Sequence, residues 1–262
     1  MPTVYLPHGG GPWPYVDLGF DPAELASLSR YLEAVAADPP TRPQALLVIS
    51  AHWEEPVATV MTSEKPPMLY DYYGFPEDSY KVQWPAPGSS SVAARVRALL
   101  SSAGIESAED SARGFDHGTF VPLSLTYPNA DVPTLQLSLK RGLDPAEHLQ
   151  IGRALAPLRD EGVFIIGSGM SFHNMRGFRD RRLQPMAQTF DRWLERVTVL
   201  PQPERDTNLT AWAKAPAARE AHPREEHLLP LMVIAGAAGA DLGTLSWRGT
   251  VGGMDVSGYR FG

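Results

Sequence analysis

Two short, almost uninterrupted apolar runs, Gln44–Ser50 (QALLVIS) and Val163–Ile166 (VFII), do most to limit what this chain can become. Strands of that composition have no polar face to give to water. They belong inside a sheet that is covered on both sides by helices. Further strands are expected at Thr3–Leu6, Val57–Met61 and Val132–Leu139, and the tail from Leu242 to Phe261 reads as two strands around a Gly252-Gly253 turn. Helix starts lie between them. Asp21-Pro22-Ala23-Glu24 offers an N-cap acid, a proline at the first helical position and a first-turn glutamate, with Leu25, Leu28, Leu32 and Val35 following at helical spacing. Asp144-Pro145-Ala146-Glu147 repeats the signal ahead of Ile151, Leu155 and Leu158. Helices are also expected over Ser90–Ser102, Leu183–Val197 and Arg224–Ala237. This alternation, with no repeat or dividing linker, predicts one α/β domain over residues 1–262, a central mixed β-sheet flanked by helices.

Composition removes several functions. Lys plus Arg number 23 against 30 Asp plus Glu, a net charge of −7 with no basic run, so nucleic acid is not an expected partner. With no cysteine there is no disulfide, thiolate nucleophile, zinc finger or iron–sulfur cluster. The first basic residue is Arg30, so no secretory leader is expected at the start. The longest apolar run, Leu228 to Ala240, is broken by Pro230 and is too short to span a bilayer. The expectation is a soluble, cytoplasmic protein without a membrane partner.

Several familiar motifs fail on inspection. His8-Gly9-Gly10-Gly11 looks like the oxyanion loop of esterases, but that chemistry needs a GxSxG elbow, and Gly167-Ser168-Gly169-Met170-Ser171 has the wrong spacing. No Gly-Lys dipeptide supplies a P-loop, no GxGxxG follows the first strand, and HExxH is absent. One segment breaks the alternation. Lys65 to Gly88 is proline-dense and carries Tyr70, Tyr72, Tyr73, Phe75, Tyr80 and Trp84. It is too long for a plain connector, and two roles stay open, a loop packed flat by its own rings or a cover over a substrate.

The seven histidines carry most of the chemistry. His8 follows the first strand, His52 the second, and His173 the VFII strand by a short loop. Ligands of open α/β sheets bind beyond the carboxyl ends of strands, so parallel neighbours would bring three imidazoles to one edge. Without thiolates, that points to a metal held by nitrogen and oxygen, with iron(II), zinc or manganese as candidates. His117 lies in a glycine-flanked turn, Gly114-Phe115-Asp116-His117-Gly118, where a histidine beside a carboxylate serves as acid, base or substrate donor, or simply caps a turn. His227, on the expected first turns of a helix, is either a further ligand or a packing residue, with Glu225 and Glu226 as carboxylate substitutes. His148 reads as core-edge packing, and His222 as a cap at a helix start.

PHGGGP, SAHW, DYYGFPEDSY with WPAPGS, GFDHGTFVPL, SGMSFHN and EEHLLPL occur in this order, ahead of an MDVSGYRFG tail. In this the chain resembles the DODA-type extradiol dioxygenases of the class III, LigB-like superfamily along nearly its whole length. The resemblance implies an α/β domain with a non-haem metal, iron(II) for activity and zinc(II) in some purified members. It implies His8, His52 and His227 as ligands, His173 as a fourth ligand or the catalytic acid/base, and His117 lining the substrate site. Whether Glu226 helps hold the metal stays open. The implied partners are a small aromatic diol and O2, with Tyr72 and Phe75 as substrate contacts. The ring would open next to its two hydroxyls to give a muconic semialdehyde. A zinc hydrolase and a non-catalytic metal-binding relative are the alternatives.

Overall fold

The computed structural model describes residues 1–178 and 180–262. In chain order the elements are β1 (Thr3–Pro7), α1 (Pro22–Ala34), β2 (Ala45–Glu55), β3 (Ala58–Met61), α2 (Ser90–Ser102), β4 (Ser107–Asp110), α3 (His117–Thr126), β5 (Thr134–Lys140), α4 (Pro145–Leu155), α5 (Pro157–Asp160), β6 (Val163–Gly169), α6 (Gln184–Thr198), α7 (Gln202–Thr210), α8 (Ala218–Ala221), α9 (Leu229–Ala238), β7 (Gly243–Val251) and β8 (Met254–Phe261). Among these residues the strands form one eight-stranded sheet in the order β4-β3-β5-β2-β6-β1-β8-β7. The centre, β5-β2-β6-β1, is parallel, and antiparallel pairs join β3 to β5, β8 to β1 and β7 to β8. The mixed α/β sheet is the expected one.

Burial explains the apolar runs. Leu46 to Ile49 and Phe164 to Ile166 are wholly buried, since α3 packs near β2 and β6 while α9 covers β6, β1 and β2. Helix α9 is buried at every position and packs tightly on α4. The contact requires glycine: a Cβ on Gly152 would sit 2.1 Å from the Val233 carbonyl oxygen, and one on Gly236 2.2 Å from that of Leu149. The caps behave as their sequences require, with Asp21 accepting from Ala23 N and Asp144 from Ala146 N and Glu147 N. Gly252 and Gly253, both at positive φ, turn β7 into β8.

Four expectations change. Strand β2 continues past Ser50 to Glu55, with its pairing to β5 broken between Ile49 and Glu54, so His52 lies on this irregular stretch rather than after the strand. The last buried helix begins at Leu229, not Arg224, which leaves His227 in the turn before it. His117 is the first residue of α3 rather than part of a free turn. That helix shows no apolar stripe because it is buried nearly all round, and Pro122 inside it hides it further. His222 follows α8 at its end and is fully buried, so it does not cap a helix start. Strand β4 and helix α7 are polar elements, SAED and QPERDTNLT, that no apolar pattern announces. Among the described residues no helix is long and apolar enough to cross a membrane.

Candidate metal centre

Strands β1 and β6 end side by side, with Pro7 opposite Gly169, and the pairing of β2 with β6 stops beside them at Ser50 opposite Ser168. His8 follows Pro7 directly, and its N–H donates to the Gly169 carbonyl at 3.1 Å. The next residue turns sharply: Gly9 has φ +79°, and a Cβ there would lie 2.2 Å from the Trp13 indole nitrogen, which itself donates to the His8 carbonyl at 2.8 Å. His52 enters from the irregular end of β2, its N–H on the Ser50 hydroxyl at 3.2 Å. His227 arrives from outside the sheet edge, ahead of α9. Its carbonyl accepts from the Tyr5 hydroxyl at 2.7 Å and from Met170 N at 3.1 Å.

The three side chains converge. One ligand nitrogen from each of His8, His52 and His227 lies within 4.8 Å of the others, and the Nε2 atoms of His8 and His52 are 3.3 Å apart. Tautomers follow from the partners. The His8 Nδ1 faces the Gly9 carbonyl at 2.6 Å, and a carbonyl only accepts, so Nδ1 carries the proton and Nε2 presents a lone pair. The His227 Nδ1 donates to Glu226 Oε1 at 2.9 Å, which leaves its Nε2 buried with no hydrogen-bond partner. A buried acceptor left unpaired costs about 1–3 kcal/mol, and a cation would satisfy it. Two metal–nitrogen bonds of about 2.0–2.1 Å at a tetrahedral angle put their nitrogens about 3.3–3.4 Å apart. The donor set fits a divalent metal.

Electrostatics agree. Burial first, then the neighbouring imidazoles, hold His8, His52 and His227 well below the usual histidine value, so all three are neutral at pH 7, the form that binds a metal. Two carboxylates stand behind the rings. Glu226 Oε1 lies 2.9 Å from His227 Nδ1 and 3.2 Å from His173 Nδ1. Asp71 Oδ1 lies 2.7 Å from His117 Nδ1 and accepts from the His117 N–H at 2.9 Å, while Oδ2 is 3.7 Å from His52 Nδ1. Burial pushes both carboxyls up, but the histidine contacts outweigh it and both end below their ordinary values. Glu225 turns away to Arg219 at 2.6 Å.

A cavity of about 500 Å³ opens over this centre. All five histidines of the group, His8, His52, His117, His173 and His227, line it, and Tyr72, Phe75, Phe20, Met170, Met175 and Phe178 make it apolar above them. The aromatic segment is packed by its own rings at one end and lines the cavity at the other. Trp84 is buried against Phe115 and Tyr70 bonds the Val82 carbonyl, while Tyr72, Tyr73 and Phe75 face the cavity. The ring of His173 stacks on that of His227 at 3.3 Å.

Residues 2–259 match the family described as the catalytic LigB subunit of aromatic ring-opening dioxygenase. The chain belongs to this family. It is similar to the 4,5-DOPA dioxygenase extradiol of Beta vulgaris, 43% identical over 227 residues that cover 84% of this chain and 83% of that one. The 4,5-DOPA dioxygenase extradiol of Escherichia coli K12 is 36% identical over 199 residues, 75% of this chain and 73% of that one. The dioxygenase tasH of Hapsidospora irregularis is 35% identical over 279 residues, all of this chain and 85% of that one. A crystal structure of an uncharacterized Escherichia coli K12 protein superposes on this LigB-family fold with a TM-score of 0.81 at 30% identity, over the whole of both chains.

The remaining histidines stay outside the centre. His148 is a core residue, its Nδ1 on the Asp144 carbonyl at 2.7 Å and its Nε2 accepting from Lys140 N at 3.1 Å. His222 donates through Nε2 to the Ser171 carbonyl at 2.9 Å, and burial pushes its pKa down to about 3. The sequence reading missed Asp71 and paired His117 with its neighbour instead. Asp116 in fact turns to Ser50 (2.7 Å), Gln136 (2.7 Å) and Arg113 (2.9 Å). The one signal for Asp71 was a lone acid set among tyrosines in Asp71-Tyr72-Tyr73.

Proposed function

We propose that the chain is an iron(II)-dependent extradiol dioxygenase that opens the ring of a small catechol next to its two hydroxyls, placing both atoms of O2 in a muconic semialdehyde. The observation that carries this is the convergence of the His8, His52 and His227 nitrogens on the floor of an aromatic-walled cavity, in a chain of a ring-opening dioxygenase family. Those three residues would hold the ion. Bound iron(II) would acidify a catechol hydroxyl and supply the redox capacity that zinc lacks.

The protein's own groups then handle protons and position. His117 commits Nδ1 to Asp71, so Nε2 is the nitrogen left to take a proton from a substrate hydroxyl and return it to a developing oxyanion. His173 commits Nδ1 to Glu226 and serves in the same way. We assign it to acid/base work rather than to the ligand set, because it lies stacked on His227 and outside the group formed with His8 and His52. Tyr72 is fixed by its hydroxyl on the Ser79 carbonyl at 2.6 Å and meets Phe75 edge-on, a wall suited to an aromatic ring. The apolar lining excludes water from the reacting atoms.

Oxygen uptake by apo-protein loaded anaerobically with iron(II) tests the reading. L-DOPA goes first, because relatives carry that substrate in their names, followed by a panel of catechols and a zinc-loaded control. Uptake with a yellow semialdehyde, seen only with iron, is expected. Bound iron without uptake on any catechol would overturn the reading.

A further inference from the structure

We propose that Asp71 is a positioning residue shared by two imidazoles, a carboxylate that sets the tautomers of both His52 and His117 so that their Nε2 atoms face the cavity. The inference rests on the reading of His8, His52 and His227 as metal ligands. Each oxygen of Asp71 has its own task. Oδ1 accepts from both Nδ1 (2.7 Å) and the backbone N–H (2.9 Å) of His117, so that ring is held in the Nδ1–H form. The N–H it takes is one that the first turn of α3 leaves without a partner, so ring and helix start are fixed together. Asp116, at the cap position, makes no side-chain capping bond and leaves that place to Asp71.

The case of His52 turns on a single proton. Its neutral ring has a hydrogen-bond partner at one end, His8 Nε2 at 3.3 Å from its Nε2, and at the other the charge of Asp71 Oδ2, 3.7 Å from its Nδ1 and just beyond hydrogen-bond reach. With the proton on Nε2, His52 would bond His8 and neither nitrogen could serve a metal. With the proton on Nδ1, both Nε2 lone pairs are free. The negative charge of Oδ2 favours the second arrangement, as carboxylates behind metal-bound histidines do elsewhere. Asp71 also precedes Tyr72 directly, so one segment carries this control and part of the cavity wall.

Two substitutions separate the tasks. Asp71→Asn is isosteric: its amide oxygen still serves His117, but its NH2 now points a donor at the His52 Nδ1–H. Asp71→Ala loses both contacts. The full-length chain, wild type and variants, would be titrated with zinc(II) against a chromogenic chelator, and the apo-proteins examined by 15N NMR for histidine tautomers. Thermal melts check that each variant is folded. We expect zinc affinity to fall about 10- to 100-fold in both variants, the usual effect of losing such a partner. The His117 Nδ1–H signature should persist in Asp71→Asn and disappear in Asp71→Ala. Folded variants with wild-type zinc affinity would overturn the His52 role, and an unchanged His117 signature in Asp71→Ala would overturn the other. A wild-type chain that binds no zinc would overturn the underlying ligand assignment, and this inference with it.

Discussion

Replacing His227 with alanine separates metal binding from folding. In the metal-free protein the substitution removes the Nδ1 bond to Glu226, a charged hydrogen bond of about 1.5–3 kcal/mol. It also removes the buried, unpartnered Nε2, whose desolvation costs about 1–3 kcal/mol. The vacated space joins the cavity that the ring lines, so no sealed void is left, and Glu226 keeps His173 and Arg224 as partners. These effects nearly cancel. Apo stability should change by no more than about 1 kcal/mol, a Tm shift within about 2–4 °C for a chain of this size. Metal binding has no such compensation. Four-ligand zinc sites are worth about 10–16 kcal/mol, which is about 2.5–4 kcal/mol per ligand, or a 10²- to 10³-fold loss of affinity. Melting curves of apo-protein and zinc competition against a chelator read the two quantities separately. Wild-type zinc affinity in a folded His227→Ala protein would refute the assignment, and a collapse of the apo-protein would refute the energy balance.

Three further outcomes are expected. His173→Ala should keep most of its metal while oxygen uptake falls at least 10²-fold, the usual share of a proton-transfer group; loss of the metal would make His173 a ligand. Gly118→Ala would place a Cβ 2.8 Å from the Ser50 hydroxyl and 2.9 Å from His52 Cδ2, so overpacking of about 1–3 kcal/mol should lower Tm and displace His52, weakening zinc binding in the same titration. Acid should destabilise the apo-protein: His8, His52, His148, His222 and His227 are held below their unfolded value of about 6.5, so below that pH the unfolded chain takes up protons that the folded one refuses. Stability then falls below about pH 6.5, with His222 contributing about 1.4 kcal/mol per pH unit down to about pH 3 and the other four adding in the same direction, and urea melts at pH 7.5 and 5.5 with equal midpoints would contradict this.

How far the sequence reached depends on the range of each interaction. QALLVIS and VFII announce buried strands because burial on both faces leaves its mark within a few residues. The Asp21 and Asp144 caps bond amides two or three positions away, so they too are written locally. His8 could be placed because it directly follows a strand end, and the ordered motifs around all five histidines pointed to the right family. What failed was of another kind. Helix α3 is wrapped in core on nearly every side, which erases the periodicity that would reveal it. The exit of β2 at His52 depends on where its pairing with β5 breaks, and that is a property of two strands.

By itself, then, the sequence determined an α/β chain with His8 at a strand end and a long aromatic segment outside the strand–helix alternation, because propensity, capping and apolar period act over short stretches of backbone. The tertiary structure alone decided which groups share a proton. Asp71 meets His117 across 46 residues, and Glu226 stands behind His173 and His227 at once. A carboxylate in a loop has the same local signature whether it faces water or an imidazole. A bridge between Met68 and Phe115 brings Asp71 to His117, and bonds from Met170 N to the His227 carbonyl and from His173 N to the Ala221 carbonyl bring Glu226 to both rings, all pairings of segments distant in sequence.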